Sequence, residues 1–250
     1  MIYWISCFCV FWAAYLLNIF YISVIYHRGL THGAIELHPQ LVKFAAVTGS
    51  WVTGLDPKGW SCMHRMHHQY SDTPKDPHSP VFQGLFPLFL GQLRSYNRTL
   101  VGLIKREESF TSVVSDFSFD VSWLNKRKMW ILPYLLHVGV GIFVGATFGG
   151  FWIGYAYWLG MMSHPIQGWM VNALAHKYGY RNFNTDDNSK NNRFVALFVF
   201  GEGYQNNHHQ YPRRANFAIK SFEYDLGYIL CRIGHWCGIL KVPQPEVRTA

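Results

Sequence analysis

Residues 1–26 contain no Asp, Glu, Lys or Arg, and residues 131–175 contain none either. In water such stretches would have to be buried on every side, whereas in a bilayer they need only be long enough to cross. At about 1.5 Å of rise per residue, the first tract spans a hydrocarbon layer of roughly 30 Å with some tilt. The second is long enough for two crossings joined by a tight turn, and Gly149 and Gly150 stand near its middle. These tracts predict an all-α integral membrane protein. We read a single domain over residues 1–250, three to four transmembrane helices with spans at about 1–26, 130–149 and 151–175, and a cytoplasmic helical cap. The first tract has neither a basic leader nor a small-residue cleavage site, so it is expected to remain in the mature chain.

Charge orients the spans. Lys126, Arg127 and Lys128 precede the hairpin, while Lys177 and Arg181 follow it, which places both of its ends in the cytoplasm by the positive-inside rule. Arg28 follows the first span, so that span runs inward. The apolar tract at residues 41–55 is read as an interfacial helix with Lys43 snorkelling, and residues 81–93, broken by Pro87, as a second one. Were residues 41–55 to cross instead, histidines on either side of them would be separated by the membrane.

Eight of the thirteen histidines fall into four clusters on the polar side of these spans. They are His27 with His32, then His64, His67 and His68 in HRMHH, then His176 four residues after Asn172, and finally His208 and His209 three and four residues after Gln205. Helix positions i, i+3 and i+4 share a face, so HRMHH and QNNHH each present a stripe of donors. His27 and His32, five apart, would flank a site on a regular helix, being turned by roughly 140°. Eight imidazoles exceed what one first-row ion accepts, which points to two ions and a dimetal site in the cap. Imidazole suits zinc, copper, iron and nickel alike, so ligand type does not choose the metal.

The remaining composition narrows the class. A net charge of +8 does not form a stripe on a soluble fold; the basic residues flank apolar spans, which disfavours nucleic acid and favours anionic lipid or an acidic electron carrier. Five cysteines, with no CxxC pair, fit reduced thiols. Residues 69–128 read as a polar connector opening with SDTPKDPHSP, residues 177–193 as a solvated loop, and the tail toward Leu240 as a helix closing the cap. Carboxylates near the boxes (Glu202, Asp72, Asp76, Asp56) are candidates to orient the imidazoles. His38, His137, His164 and His235 read as hydrogen-bonded structural residues, and His78 as loop-fixing or an outer support.

The stretches HRGLTH (His27 to His32), HRMHHQYSDTPKDPH (His64 to His78), NALAH (Asn172 to His176) and GEGYQNNHHQYP (Gly201 to Pro212) resemble, in order and spacing, the histidine boxes of the membrane-bound fatty acyl desaturases, the group that includes stearoyl-CoA desaturase. The resemblance covers roughly residues 27–240. It implies a non-haem diiron oxidoreductase with two Fe that uses O2, as co-substrate, and two external electrons to place a cis double bond in a fatty acyl chain. On that reading His27, His32, His64, His67, His68, His176, His208 and His209 ligate iron, and Asn172 reaches one iron through water. One departure stands out: the last box of the family usually begins with histidine, and here that position is Gln205, a weaker oxygen donor. One span precedes the first box, where animal relatives resemble a hairpin.

Partners implied are a fatty acyl substrate, membrane lipid and a separate ferredoxin- or cytochrome-type electron donor, because no flavin or haem motif is present. Trp60, Arg65, Arg213 and Arg214 are candidate substrate contacts: Trp60, with Trp51, Trp152, Trp158 and Trp169, as tunnel lining, and the arginines for an anionic head group. Competing readings are a diiron hydroxylase of a fatty or sterol-like lipid, and a histidine-rich metal-binding or transport protein. Transport would call for ionisable groups inside the spans, where only His137 and His164 occur.

Overall fold

The computed structural model describes residues 1–243. Helix α1 (Ile2–Ile19) runs without a break into a π-helical stretch, Phe20–Thr31, so that one helical run carries both the apolar tract and the first histidine. This 30-residue run is, among the described residues, the one helix long and apolar enough to cross a membrane. The hairpin forms as the sequence predicts on one side: α5 (Leu132–Phe148) ends at Gly149 and Gly150, whose φ of 113° and 120° only glycine adopts without strain. Its other arm departs from expectation. Residues 151–175 are not one helix but α6 (Phe151–Met161) followed, after a break, by α7, one run made of His164–Trp169, the π-helical Met170–Leu174 and Ala175–Lys177. Pro165 explains the break, since it has no N–H to give to a preceding turn and is tolerated in the first turn of a new helix.

The three apolar helices pack as a layer. Gly160 of α6 sits against the backbone of α1 at Phe11, and Gly154 against the carbonyl of Gly141 on α5, so the helices approach at backbone distance. Outward, Phe8, Leu135, Ile142, Phe143 and Phe151 are all more than half exposed. Such a contiguous apolar band suits hydrocarbon better than water.

Beneath this layer lies a cap. A helix, α2 (Pro39–Thr53), covers most of the tract expected at 41–55: Ala45, Gly49 and Ser50 are buried, while Phe44 and Val47 remain exposed. Helix α3 (Pro57–Tyr70) starts on an Asp56 side chain that accepts from Lys58 N and Gly59 N. Asp56 also accepts from Ser122 N and Asn125, so it pins a loop and does not touch the histidines, contrary to expectation. The connector is more ordered than its polarity suggested. After a one-turn helix at Pro80–Gln83, α4 runs over Leu88–Ile104, eleven residues past the anticipated end at 93. Pro87 precedes this helix and does not interrupt it, and Leu100 and Leu103 close a core with Cys62 and Phe110.

The chain then returns through α7, α8 (Arg193–Phe198), α9 (Gln205–Gln210) and α10 (Leu226–Trp236). The anticipated tail helix is α10. Beyond it Leu240–Lys241 pairs antiparallel with Glu36–Leu37, a two-residue ribbon the sequence reading did not include. It ties the tail to the segment after the first histidine pair.

Candidate metal centre

Four separate stretches bring their imidazoles to one place. His27, His32, His64, His68 and His208 form one group of donors, and His67, His176 and His209 a second. Each group draws on at least three helical segments. The helix periodicity explains how two adjacent histidines serve different groups: successive side chains diverge by about 100° on a helix. His64 and His68, one turn apart on α3, serve the first group and His67 the second; on α9, His208 faces the first and His209 the second. HRMHH therefore straddles two sites and does not point at one.

The first pair is placed by a different device. His32 N donates to His27 O, an i to i+5 bond, and this wider winding brings the fifth residue back over the first. The two rings lie 4.9 Å apart, not on opposite flanks as a regular helix would require.

Donor separations fit a shared cation. The Nε2 atoms of His27 and His208 are 3.0 Å apart, those of His68 and His208 2.9 Å, and those of His64 and His68 3.1 Å. With metal–nitrogen bonds of about 2.0–2.1 Å, ligands at right angles lie about 3 Å from each other. In the second group the rings of His67, His176 and His209 form a near-equilateral triangle with centroids 5.1–5.2 Å apart. The Nε2 atoms of His32, His67 and His176 are buried without a hydrogen-bond partner, a costly condition that a cation removes. The residues present fit two ions of the kind that take imidazole.

Carboxylates fix which nitrogen faces inward. His27 Nδ1 lies 2.6 Å from Glu202, His67 Nδ1 2.9 Å from Asp76 and His176 Nδ1 3.2 Å from Asp72, while His209 Nδ1 is bonded to Asp187. Each Nδ1–H donates outward, so each Nε2 presents a lone pair. Burial opposes ionisation of Asp76, but His67 beside it holds its carboxyl at about 2. Burial likewise works against Glu202, and His27 and Arg28 outweigh it and lower its pKa. His64, His68 and His208 are held well below the usual imidazole range, by burial first and neighbouring imidazoles second. They are neutral and able to ligate at neutral pH.

Three of the four anticipated carboxylates thus touch the clustered histidines; Asp187 was missed. It lies in the supposed solvated loop, and no periodicity marks it. The loop is anchored to α9, where the Asn206 side chain accepts from Asn182 N and Phe183 N. Arg28 was missed too. Fully buried, it bonds Glu202 at 2.6 Å and Asp225 at 3.0 Å and lies over the Phe217 ring. Its position next to His27 was the only available signal.

Gln205 lies beside the second group. Its Nε2 donates to Glu202 O at 2.7 Å, which turns Oε1 toward His209 Nε2, 3.1 Å away. Asn172 sits one turn before His176, its amide donating to Gln92 at 3.3 Å. The rings of His67 and His78 stack 4.4 Å apart, and neither His78 nitrogen has a partner, so His78 does not fix its loop through its ring.

A cavity opens beside the histidines, lined by His27, His64, Gln205, Trp60, Met63 and Val171 among others. Trp60 stacks on His64 with planes 13° apart. The other tryptophans lie elsewhere: Trp51 against Trp123, Trp152 against Trp4, Trp158 in the hairpin groove, and Trp169 donating to Leu85 O. Only Trp60 of the five lines the cavity. Arg65 is spent on Asp116 at 2.6 Å and on the carbonyls of Leu30, Thr31 and Val113, which leaves it no free fork for a head group. Arg213 and Arg214 stand exposed. His38 caps α2, His137 bonds Tyr157 and Trp51 O, and His235 accepts from Val242 N, all structural roles as anticipated. His164 does not follow them: its Nδ1 is buried without a partner, and the ring lines the cavity.

The sequence profile of the fatty acid desaturase family matches residues 3–223. Among curated relatives, an icosanoyl-CoA 5-desaturase of Limnanthes douglasii is 32% identical over 89% of this chain, and the chain spans 62% of that protein's length. An acyl-CoA C20 Delta5-desaturase of Anemone leveillei is 30% identical over 94% of this chain and 74% of its own. An sn-1 stearoyl-lipid 9-desaturase of Anabaena variabilis is 28% identical, covering 85% of this chain and 74% of its own. With two imidazole clusters in the order of the four boxes and a matching profile over most of its length, the chain belongs to the fatty acid desaturase family.

Proposed function

We propose that this protein catalyses the O2-dependent conversion of a saturated fatty acyl chain, linked to CoA, a carrier protein or a lipid, into a cis-monounsaturated chain. The reaction takes one hydrogen from each of two adjacent methylenes; with two electrons and two protons from an external donor, O2 leaves as two waters. Two irons, when bound, supply the oxidising power that an unactivated C–H bond demands. We assign His27, His32, His64, His68 and His208 to one iron, and His67, His176, His209 and the Gln205 oxygen to the other, with Asn172 acting through water. Supporting this reading is one observation above the rest: Nε2 atoms turned inward by carboxylates behind them, beside an apolar cavity.

The chain's own residues do the positioning. Ile22, Leu55, Met63 and Leu93 give the cavity apolar walls, and Trp60 lies flat against His64 where the chain would pass the centre. Holding a flexible acyl chain in one pose decides which C–H bond is attacked. The carboxylate partners keep His27, His67, His176 and His209 in one tautomer and orientation, so these four are set before substrate arrives. Arg213 and Arg214, exposed after the last box, suit an anionic head group or an acidic electron carrier of the ferredoxin or cytochrome type. We place the protein in the membrane through α1 and the α5–α6 hairpin, with the metal centre on the cytoplasmic face.

Gln205 favours a second reading, a lipid hydroxylase. An amide oxygen holds a metal less firmly than imidazole and leaves that site more open. Expression in a host lacking unsaturated fatty acids, followed by lipid mass spectrometry, tests both: new cis-alkenes support the desaturase and new alcohols the hydroxylase. Neither product, at two irons per chain and with an electron donor supplied, would sink both.

A further inference from the structure

Three side chains on the cavity wall have buried polar atoms with nothing to bond: His78, stacked on His67 beside the histidine clusters, and His164 and Gln167, which belong to another element. His164 and Gln167 lie on the first turn of α7, are 6% and 4% exposed, and both line the cavity. Their surroundings fix their hydrogen-bonding character. Ser163 Oγ donates to Gly160 O at 2.8 Å, so it can only accept from the Gln167 amide, whose Nε2 lies 2.7 Å away. The same Nε2 faces Asn18 Oδ1 at 3.4 Å. The amide cannot flip without losing both contacts, and Oε1 is therefore the free end, buried and unpartnered. His164 Nδ1 is buried and unpartnered as well.

A plain hydrocarbon chain would leave both groups unpaired, which costs more than an apolar lining would. Charge gives no reason for them to be polar. Glu202, the one carboxylate on the cavity wall, is already bonded to His27 and Arg28. We propose that the acyl substrate carries a neutral hydroxyl group where the chain passes His164 and Gln167, an inference that rests on the acyl-chain reading of the cavity. A hydroxyl donates to Gln167 Oε1 and pairs with His164 through its second function. A ketone, ether or double bond has no proton to give and would leave Gln167 unsatisfied. The hydroxyl sits away from the reacting carbons: His164 precedes the ligand His176 by twelve residues of one helical run, roughly 15–18 Å at about 1.5 Å per residue. His164 and Gln167 are then specificity-determining residues, since a site built to bond a substrate hydroxyl discriminates against the chain without one.

The test is binding, measured apart from turnover. Purified iron-loaded protein in detergent is titrated with octadecanoyl chains and a positional series of monohydroxy-octadecanoyl chains, each as CoA thioester and as methyl ester, against a fluorescent acyl probe. One or two adjacent isomers are expected to bind at least tenfold more tightly than the plain chain. In His164→Leu and Gln167→Leu that advantage disappears, while the plain chain binds as well as or better than in the wild type; His164→Asn, which keeps a polar group, retains part of it. Should the leucine variants fail to fold, the wild-type series decides alone. Equal binding of plain and hydroxylated chains would mean that water fills the subsite, and would overturn the proposal while leaving the desaturase reading intact. Failure of every chain to bind would overturn both.

Discussion

The Oε1 atom of Gln205 lies 3.1 Å from Nε2 of His209. Neither atom carries a proton for the other. His209 has given its Nδ1–H to Asp187, and Gln205 has turned its NH2 toward the carbonyl of Glu202. Two lone pairs at this separation repel unless a cation sits between them, which is the arrangement that the proposed role of Gln205 as an oxygen donor requires.

Replacing that donor tests the arrangement. Gln205→His is expected to tighten the second iron by roughly tenfold or more, with activity retained or raised. Gln205→Leu, similar in size but without the oxygen, loses iron from that site first. Chelator competition followed by iron counting per chain reads both. A Gln205→His protein with two irons and no turnover would show instead that the glutamine oxygen is chemically required.

Glu202 and Asp187 both hold a histidine, but they are not equivalent. Asp187→Asn frees His209 from one tautomer and should weaken iron by about 10–100-fold, with little change in thermal stability, because the loop around it bears no second ion pair. Glu202→Gln also strips a partner from the buried Arg28, and breaking a buried pair costs about 3–5 kcal/mol. Melting curves should separate the two variants while iron titration shows both impaired. Equal melting temperatures would deny Glu202 its double task.

The eight histidines were legible because helical spacing alone brings His64 to His68 and Gln205 to His209 onto stripes. The same spacing turns His67 away from His64 and His68, and His209 away from His208, but which of these rings share a donor group was not legible, since that depends on how α3 and α9 pack. His27 and His32 misled for a sharper reason: the π winding after Phe20 changes the period itself. Asp187 and Arg28 escaped because each acts through a contact remote in sequence, His209 and Asp225 respectively. The break before His164 was readable in Pro165. That the broken arm would turn two polar side chains into the cavity was not.

The apolar layer makes its own prediction. A Cβ on Gly160 would lie 2.5 Å from Phe11 O and 2.9 Å from Ala14 Cβ, whereas one on Gly139 meets nothing within 4 Å. The same change to alanine should therefore act oppositely. Gly160→Ala forces α6 off α1 and costs about 1–3 kcal/mol, while Gly139→Ala gains up to about 1 kcal/mol of helix propensity. Thermal melts in one detergent compare them directly, and matching shifts would mean that α1 and α6 do not approach as described.

Metal removal should make stability strongly dependent on pH. In the folded chain His64, His68 and His208 are held neutral well below the ordinary imidazole range, and His209 at about 4, by burial first. In the unfolded chain each regains a pKa near 6.5. Above that value neither state binds the proton and the contribution to stability is complete; below it the unfolded chain takes up protons that the folded chain refuses, so stability falls as pH drops. Each such histidine costs up to about 1.4 kcal/mol per pH unit until its folded value is reached. Asp76, held at about 2, does not contribute in this window, being ionised in both states above pH 5. The chelator-treated protein should therefore melt progressively lower from pH 7.5 to 5. The iron-loaded protein should hold its melting temperature over the upper part of that range, because protons must first displace the metal, and then fall abruptly as iron is released. Calorimetry at half-unit intervals, with released iron measured alongside, distinguishes the two courses. A metal-free protein whose melting temperature stays level from pH 7.5 to 5 would mean that its histidines are solvated, and a solvated cluster could not be the preformed centre described above.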